Sequence, residues 1–175
     1  TILAVNKRCW LHPNSGGAER NLKELLTNSA DEAKIFLLCG TYSGAKSSEK
    51  VQNVTIRRVG LSANPDSLID VIIAYIFVTI YFHWYVRDVD PDVVLSVFSP
   101  LPWVLSSPVP VIVQHHHIAV ESFRETHDFP FNYLGSYAQK VGILLSKSNP
   151  ILSVSPSTTN SLVSHGVPQE NIHTI

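Results

Sequence analysis

The chain has 175 residues, 45% of them hydrophobic, with 13 basic and 14 acidic side chains and a formal charge of −1. That is enough chain for one globular domain with a substantial core, and the near-neutral balance excludes the broad positive field that attracts nucleic acid or, in general, an anionic membrane surface. Cys9 and Cys39 each lie beside a predicted strand and read as buried free thiols rather than a disulfide; with no basic stretch and apolar core at the N-terminus to mark a secretory signal, the expected compartment is the reducing cytoplasm. The sequon at Asn53-Val54-Thr55 matters only in a secreted chain and carries little weight.

In chain order, short apolar runs rich in β-branched residues recur at Ile2 to Val5, Lys34 to Leu38, Val54 to Val59, Asp92 to Val97, Val109 to Gln114 and Ile151 to Val154. Continuous apolar strands with helices between them are the pattern of a parallel sheet covered on both faces. The first helix follows the first strand, with Ala18, Leu22, Leu25 and Leu26 at helical spacing and Arg20, Lys23 and Glu24 on the other side. The polar stretch from Tyr42 to Asn53 reads as a loop. Helices are predicted over Asp66 to Arg87, near Phe131 to Ser146, and from Pro156 to His165, where Ser155 caps, Pro156 suits the first turn and Gly166 stops the helix. Asn171 to Ile175 resembles the start of a further strand, so the natural chain is expected to continue. The predicted fold class is α/β, a single doubly wound and mainly parallel sheet of Rossmann-like type over residues 1–175.

The run Leu68 to Tyr85 approaches the length of a membrane span. Asp70, Thr79 and His83 make it a poor one. A buried or partly interfacial helix is expected, and because it is apolar on nearly all sides it permits association with a membrane surface.

Two stretches carry chemistry. Gly16-Gly17-Ala18-Glu19 stands between the first strand and the first helix. Paired glycines let backbone amides approach a ligand and the helix N-terminus adds partial positive charge, so a phosphate or sugar hydroxyl could dock there. Equally, the glycines could make a tight turn and Glu19 could favour the helix dipole. The spacing fits neither the dinucleotide pattern nor a P-loop. The second stretch is His115-His116-His117, closing the strand that begins near Pro110. Ligands in open α/β sheets bind outside the carboxyl ends of strands. Strand alternation sends His115 and His117 one way and His116 the other, so no shared metal is expected; a neutral imidazole can instead hold a sugar hydroxyl. Asp88-Val89-Asp90-Pro91-Asp92 contains two D-x-D triplets, but aspartates in a proline-containing loop also suit a turn.

Taken in order, these motifs resemble those of the family 4 glycosyltransferases, which have the GT-B architecture. Gly16-Gly17-Ala18-Glu19-Arg20 is similar to the family's glycine-glycine-x-glutamate opening, Pro91-Asp92-Val93-Val94 to its proline-aspartate-valine-valine strand, and Pro110 to His116 to the strand bearing its active-site histidine. Ser153 to Thr158, with Ser164 to Pro168 and Asn171-Ile172 after it, resembles the last helix of the family's N-terminal domain. The resemblance covers nearly the whole chain. It implies the N-terminal, acceptor-side Rossmann-like half of a retaining glycosyltransferase, whose C-terminal nucleotide-sugar-binding domain is absent from this chain. It implies His116 as the catalytic residue, by counting from Pro110, with Gly16, Gly17, Glu19, His115, His117 and Ser155 on the substrates. The substrates would be a nucleotide sugar and a sugar or lipid-linked acceptor, with no metal, no cofactor and no nucleic acid; contact with a membrane surface is permitted. Two other readings are a Rossmann-type NAD(P)-dependent oxidoreductase domain, disfavoured by the glycine spacing, and a non-catalytic flavodoxin-like binding domain.

Overall fold

The computed structural model describes residues 1–28, 33–61, 68–98, 103–104, 106–118 and 131–175, with the side chains of 68–71 and 131–132 set aside. Eight strands form one sheet in the order β3-β4-β2-β1-β5-β6-β7-β8, where β1 is Ile2–Asn6, β2 Ile35–Gly40, β3 Ser48–Val51, β4 Val54–Val59, β5 Val93–Val97, β6 Val111–His115, β7 Ile151–Ser153 and β8 Ile172–Thr174. Among the described residues four α-helices accompany them, α1 (Gly17–Thr27), α2 (Leu68–Val89), α3 (Phe131–Ser146) and α4 (Pro156–Ser164). The pairs β1·β2, β2·β4, β6·β7 and β7·β8 are parallel, so the expected mainly parallel α/β sheet is what forms. Every predicted strand and helix is present, with ends shifted by a few residues; the predicted helix start at Asp66 lies outside the described residues.

One expectation is corrected. The stretch from Tyr42 to Asn53, read as a loop, contains β3, which pairs antiparallel with β4 from Ser48↔Arg57 to Val51↔Val54. Gln52, with φ of +55°, takes part in the two-residue turn between them. An edge strand has a partner on one side only and keeps polar residues toward water. Ser48, Glu49 and Lys50 therefore give no apolar alternation to read.

By contact, the chain divides into two compact units, Thr1–Leu95 with Ser106–Pro110, and Ser96–Leu105 with Val111–Ile175. In the first, Leu3, Ala4 and Val5 of β1 and Leu37 and Leu38 of β2 are fully buried, as strands covered on both faces should be. Helix α1 lays Leu22 and Leu26, one turn apart, into the core. Helix α2 packs on β1, β2 and β4 and buries Val78, Phe82, Tyr85 and Val86. Its approach to β2 is close: a Cβ on Gly40 would stand 2.9 Å from the Lys7 carbonyl oxygen and 3.1 Å from Ala74 Cβ, so a side chain there would require the backbone to move. The opposite face of α2 is not polar. Ile72, Ile76, Ile80 and Trp84, each four residues after the last, are 48% to 68% exposed.

In the second unit, Phe98, Val113, Ile143, Ile151, Leu162 and Val167 form one buried cluster. Ser155 caps α4, its hydroxyl oxygen accepting from the Thr158 amide at 3.2 Å, and Pro156 follows at the first helical position, as the sequence predicts. Gly166 takes φ of +83° just past the helix end, the left-handed conformation that favours glycine after a helix.

Candidate functional site

The first group of candidate residues belongs to the first unit. The chain leaves β1 at Asn6 and folds on itself before α1: Arg8 Nη1 donates to the Asn14 carbonyl at 2.7 Å, the Ser15 amide to the His12 carbonyl at 2.9 Å, and the Asn14 amide to His12 Nδ1 at 3.0 Å. Since Nδ1 accepts, the His12 proton sits on Nε2. The His12 ring is buried and meets Tyr42 edge-on at 5.0 Å. Gly16 is the helix cap and is extended (φ −117°, ψ −158°); its amide donates to Glu19 Oε2 at 2.7 Å. Glu19 thus satisfies one of the amides that a helix start leaves open. A Cβ on Gly17 would meet nothing within 4 Å, and one on Gly16 only Glu19 Oε2 at 3.6 Å. Neither position needs glycine for its backbone angle or for internal space. What the missing side chains do provide is open access to the backbone at the head of α1.

The second group belongs to the second unit, where the three histidines have three different environments. His115 is 0% exposed and stacks on Phe98 with ring centroids 4.0 Å apart and an interplanar angle of 23°. Among the described residues neither of its ring nitrogens has a hydrogen-bond partner. Burial first, and the neighbouring His116 second, bring its pKa down to about 3. It is a neutral ring at physiological pH. His116 follows the end of β6 and is half-buried; its carbonyl accepts from Thr158 Oγ1 at 3.1 Å. His117 is exposed. Alternation along an extended strand would put His115 and His117 on one side, but β6 stops at His115, so the pattern ends there.

Ser155 is brought to this same place. Its hydroxyl lies 3.0 Å from Thr158 Oγ1 and 2.9 Å from Ser157 Oγ, and the Val154 amide donates to the His115 carbonyl at 3.3 Å. The N-terminus of α4, rich in hydroxyls, is therefore attached through Thr158 to the backbone of His116. Chemically, this end of the second unit can present an imidazole, hydroxyl groups and helix amides to a polar ligand. Gly16, Gly17 and Glu19 belong to the other unit.

Among the described residues no three His, Cys, Asp or Glu side chains converge as a metal site would require. In the Asp88 to Asp92 segment, Asp90 takes φ of +47° directly after α2, and the Asp92 carboxylate pairs with the amino group of Thr1 at 2.5 Å; the first is turn chemistry. Two site features were missed in the sequence, His12 and the Cys9–Cys39–Arg58 cluster. His12 could have been sought as a polar residue beside the glycine turn. The cluster draws on three separate elements and has no local signature.

No protein family matches the chain by sequence, and no curated protein matches it. Among solved structures, the chain is similar to a sucrose-phosphate synthase from Thermosynechococcus elongatus, with a TM-score of 0.65 and 11% identity over 99% of this chain. The match spans 47% of that enzyme's chain. At that identity the likeness is one of fold, and the fold is GT-B-like.

Proposed function

We propose that this chain is the acceptor-side half of a retaining glycosyltransferase that moves a sugar from a nucleotide-sugar donor to an acceptor. The observation that carries the reading is that a fold like one half of a glycosyltransferase chain runs over 99% of this one, with the glycine turn and the histidine strand in the order that the family resemblance implies. Fold likeness alone is an analogy. The open backbone at Gly16 and Gly17 and the imidazole of His116 beside a capped helix make it chemically specific.

On this reading the open helix start at Gly17 receives an anionic or hydroxyl group of the substrates, which takes the place of the Glu19 carboxylate on the Gly16 amide. His116 faces the donor sugar, where it meets charge developing at the anomeric carbon. His115 is fully buried and His117 is exposed, so neither is given a substrate contact on this reading, and Ser155 holds the neighbouring helix start. Groups that bind and polarise the donor diphosphate belong to a second domain, so no cofactor or metal is needed from this one. The 175-residue chain alone, incubated with a panel of nucleotide sugars and acceptors, is therefore expected to give no multiple turnover, because catalysis requires those groups to be preorganised. Turnover at rates ordinary for a complete enzyme would overturn the two-domain reading.

A lipid-linked acceptor at a membrane surface is supported by α2. No described helix is long and apolar enough to cross a membrane, yet the exposed row of Ile72, Ile76, Ile80 and Trp84 is the kind of face that lies in an interface. Residues 72–86 contain no acidic side chain, and Arg87 follows them. Flotation with vesicles of mixed zwitterionic and anionic phospholipid is expected to carry the protein. The pair Ile76→Asp and Ile80→Asp should abolish flotation without lowering Tm, since both positions face outward. Flotation unchanged by the pair would remove α2 from the membrane reading.

A further inference from the structure

The fold of the first unit encloses a thiol pair that sugar transfer does not use. Cys9 comes from the loop between β1 and α1, Cys39 from β2; both are free and 0% exposed. In the parallel register Cys39 stands opposite Arg58 of β4 on one side and opposite Asn6 of β1, where the Cys9 loop begins, on the other. Arg58, on the buried row of β4, donates from Nη2 to Cys9 Sγ at 3.3 Å. Its other contacts hold it in place: Glu49 at 2.6 Å, the Lys46 carbonyl at 2.9 Å, and the Tyr42 ring 5.3 Å from the guanidinium carbon.

Two buried cysteines that only fill space would be expected to lie among apolar neighbours, as neutral thiols. Here a cation that never loses its charge is desolvated against one sulfur of the pair. The Cys39 hydrogen bond, together with Arg58 and against the effect of burial, brings Cys9 down to about 6. Cys39 moves the other way, well above the ordinary thiol range, because its proton is held by Cys9 and because it is buried. The pair therefore holds one thiolate and one thiol near neutral pH, which is the division between an attacking and a resolving cysteine.

We propose that Cys9 and Cys39 are a hydroperoxide-responsive thiol pair in which Cys9 is oxidised and Cys39 resolves it to a disulfide. The Cys9 thiolate attacks the terminal oxygen of the hydroperoxide; the O–O bond breaks, the oxygen and its hydrogen stay on sulfur as sulfenic acid, and the alkoxide or hydroxide leaves and takes a proton from water. The Cys39 thiol then attacks the Cys9 sulfur. The S–O bond breaks, and the oxygen departs as water with the Cys39 proton. The two thiols lose two electrons and the hydroperoxide gains them. Cys9 is the sulfur that such an oxidant reaches first, because its loop is held by single turns such as the His12 amide on the Cys9 carbonyl at 3.1 Å, and local opening of such a loop requires less than breaking a strand. Cys39 is fixed in β2, within the parallel ladder to β1 and β4. The disulfide ties to β2 the loop that leads to Gly16 and Gly17. Any consequence for sugar transfer rests on the proposed function; the thiol chemistry does not.

The test uses the chain itself, treated with limiting hydrogen peroxide at pH 7, blocked with iodoacetamide and read by mass spectrometry. The expected product has lost two hydrogens, joins the Cys9 and Cys39 peptides and is reversed by dithiothreitol. In Cys39→Ser the reaction should stop at a Cys9 sulfenic acid trapped by dimedone, and in Cys9→Ser the remaining thiol should stay unreacted. Without any substitution, iodoacetamide alkylation of native Cys9 should be half-maximal near pH 6, not near the ordinary thiol value of about 8.5; Arg58→Gln should move it upward. The proposal is overturned if peroxide leaves both thiols intact at concentrations that oxidise the denatured chain. It is equally overturned if Cys39 reacts first, or if Cys9 alkylates with an ordinary midpoint.

Discussion

His116→Ala in a complete two-domain protein is expected to lower kcat by about 10²-fold or more with a smaller change in KM, the scale of removing one well-placed polar group from a preorganised site. That is about 2.7 kcal/mol of transition-state stabilisation. The neighbours act as internal controls because their environments differ. His117 is exposed, so His117→Ala should change neither Tm nor kcat much. His115 is sealed against Phe98, so His115→Ala should lower stability through the cavity it leaves. Thr158→Val tests the support: its hydroxyl holds the His116 carbonyl, and losing that bond should lower kcat less than losing the ring. Steady-state kinetics and thermal melts on the four variants separate the cases. A nearly fully active His116→Ala protein, or a larger kcat loss from His117→Ala, would show that the histidine register is misassigned.

Much of the fold could be read in the sequence because parallel strands advertise themselves. Ile2 to Val5 and Ile35 to Leu38 are continuous apolar runs, and the structure buries Leu3, Ala4 and Val5 of the first and Ile35, Leu37 and Leu38 of the second. The cap of α4 was equally legible, since Ser155, Pro156 and Gly166 act through local backbone chemistry. β3 was not, because an edge strand of Ser48, Glu49 and Lys50 follows the polarity rules of a loop. In α2 the apolar composition was plain, but which side met the sheet depends on Gly40 admitting the helix closely. The candidate site shows the same division. The glycine turn and the histidine run could be found by position along the chain. Which histidine is buried depends on where β6 stops, and the Cys9–Cys39–Arg58 contact depends on the packing of a loop and two strands far apart in sequence; periodicity contains neither.

His115 leads to the second large expected effect, a loss of stability in mild acid. Its pKa is about 3 in the folded chain, against roughly 6.5 when unfolded. The folded pKa of this base is depressed, so between those values the unfolded chain binds a proton that the folded one excludes. Stability from this group is therefore fully present above pH 6.5 and is lost as pH falls through the window from about 6.5 toward 3. At pH 5 the loss is about 2 kcal/mol, or about 4–8 °C in Tm for a chain of this size. Because other histidines and the carboxylates also titrate on acidification, the measurement is a difference: Tm from pH 7.5 to pH 5 for the wild type and for His115→Leu, which keeps an apolar side chain of similar size and cannot titrate. The variant should lose less stability across that range, by about 2 kcal/mol. At pH 7.5 it should be little changed, since neither ring nitrogen of His115 gives up a hydrogen bond. Parallel pH profiles for the two proteins would mean that this ring gains a proton in the folded state as readily as in water, and that its place against Phe98 is open to solvent.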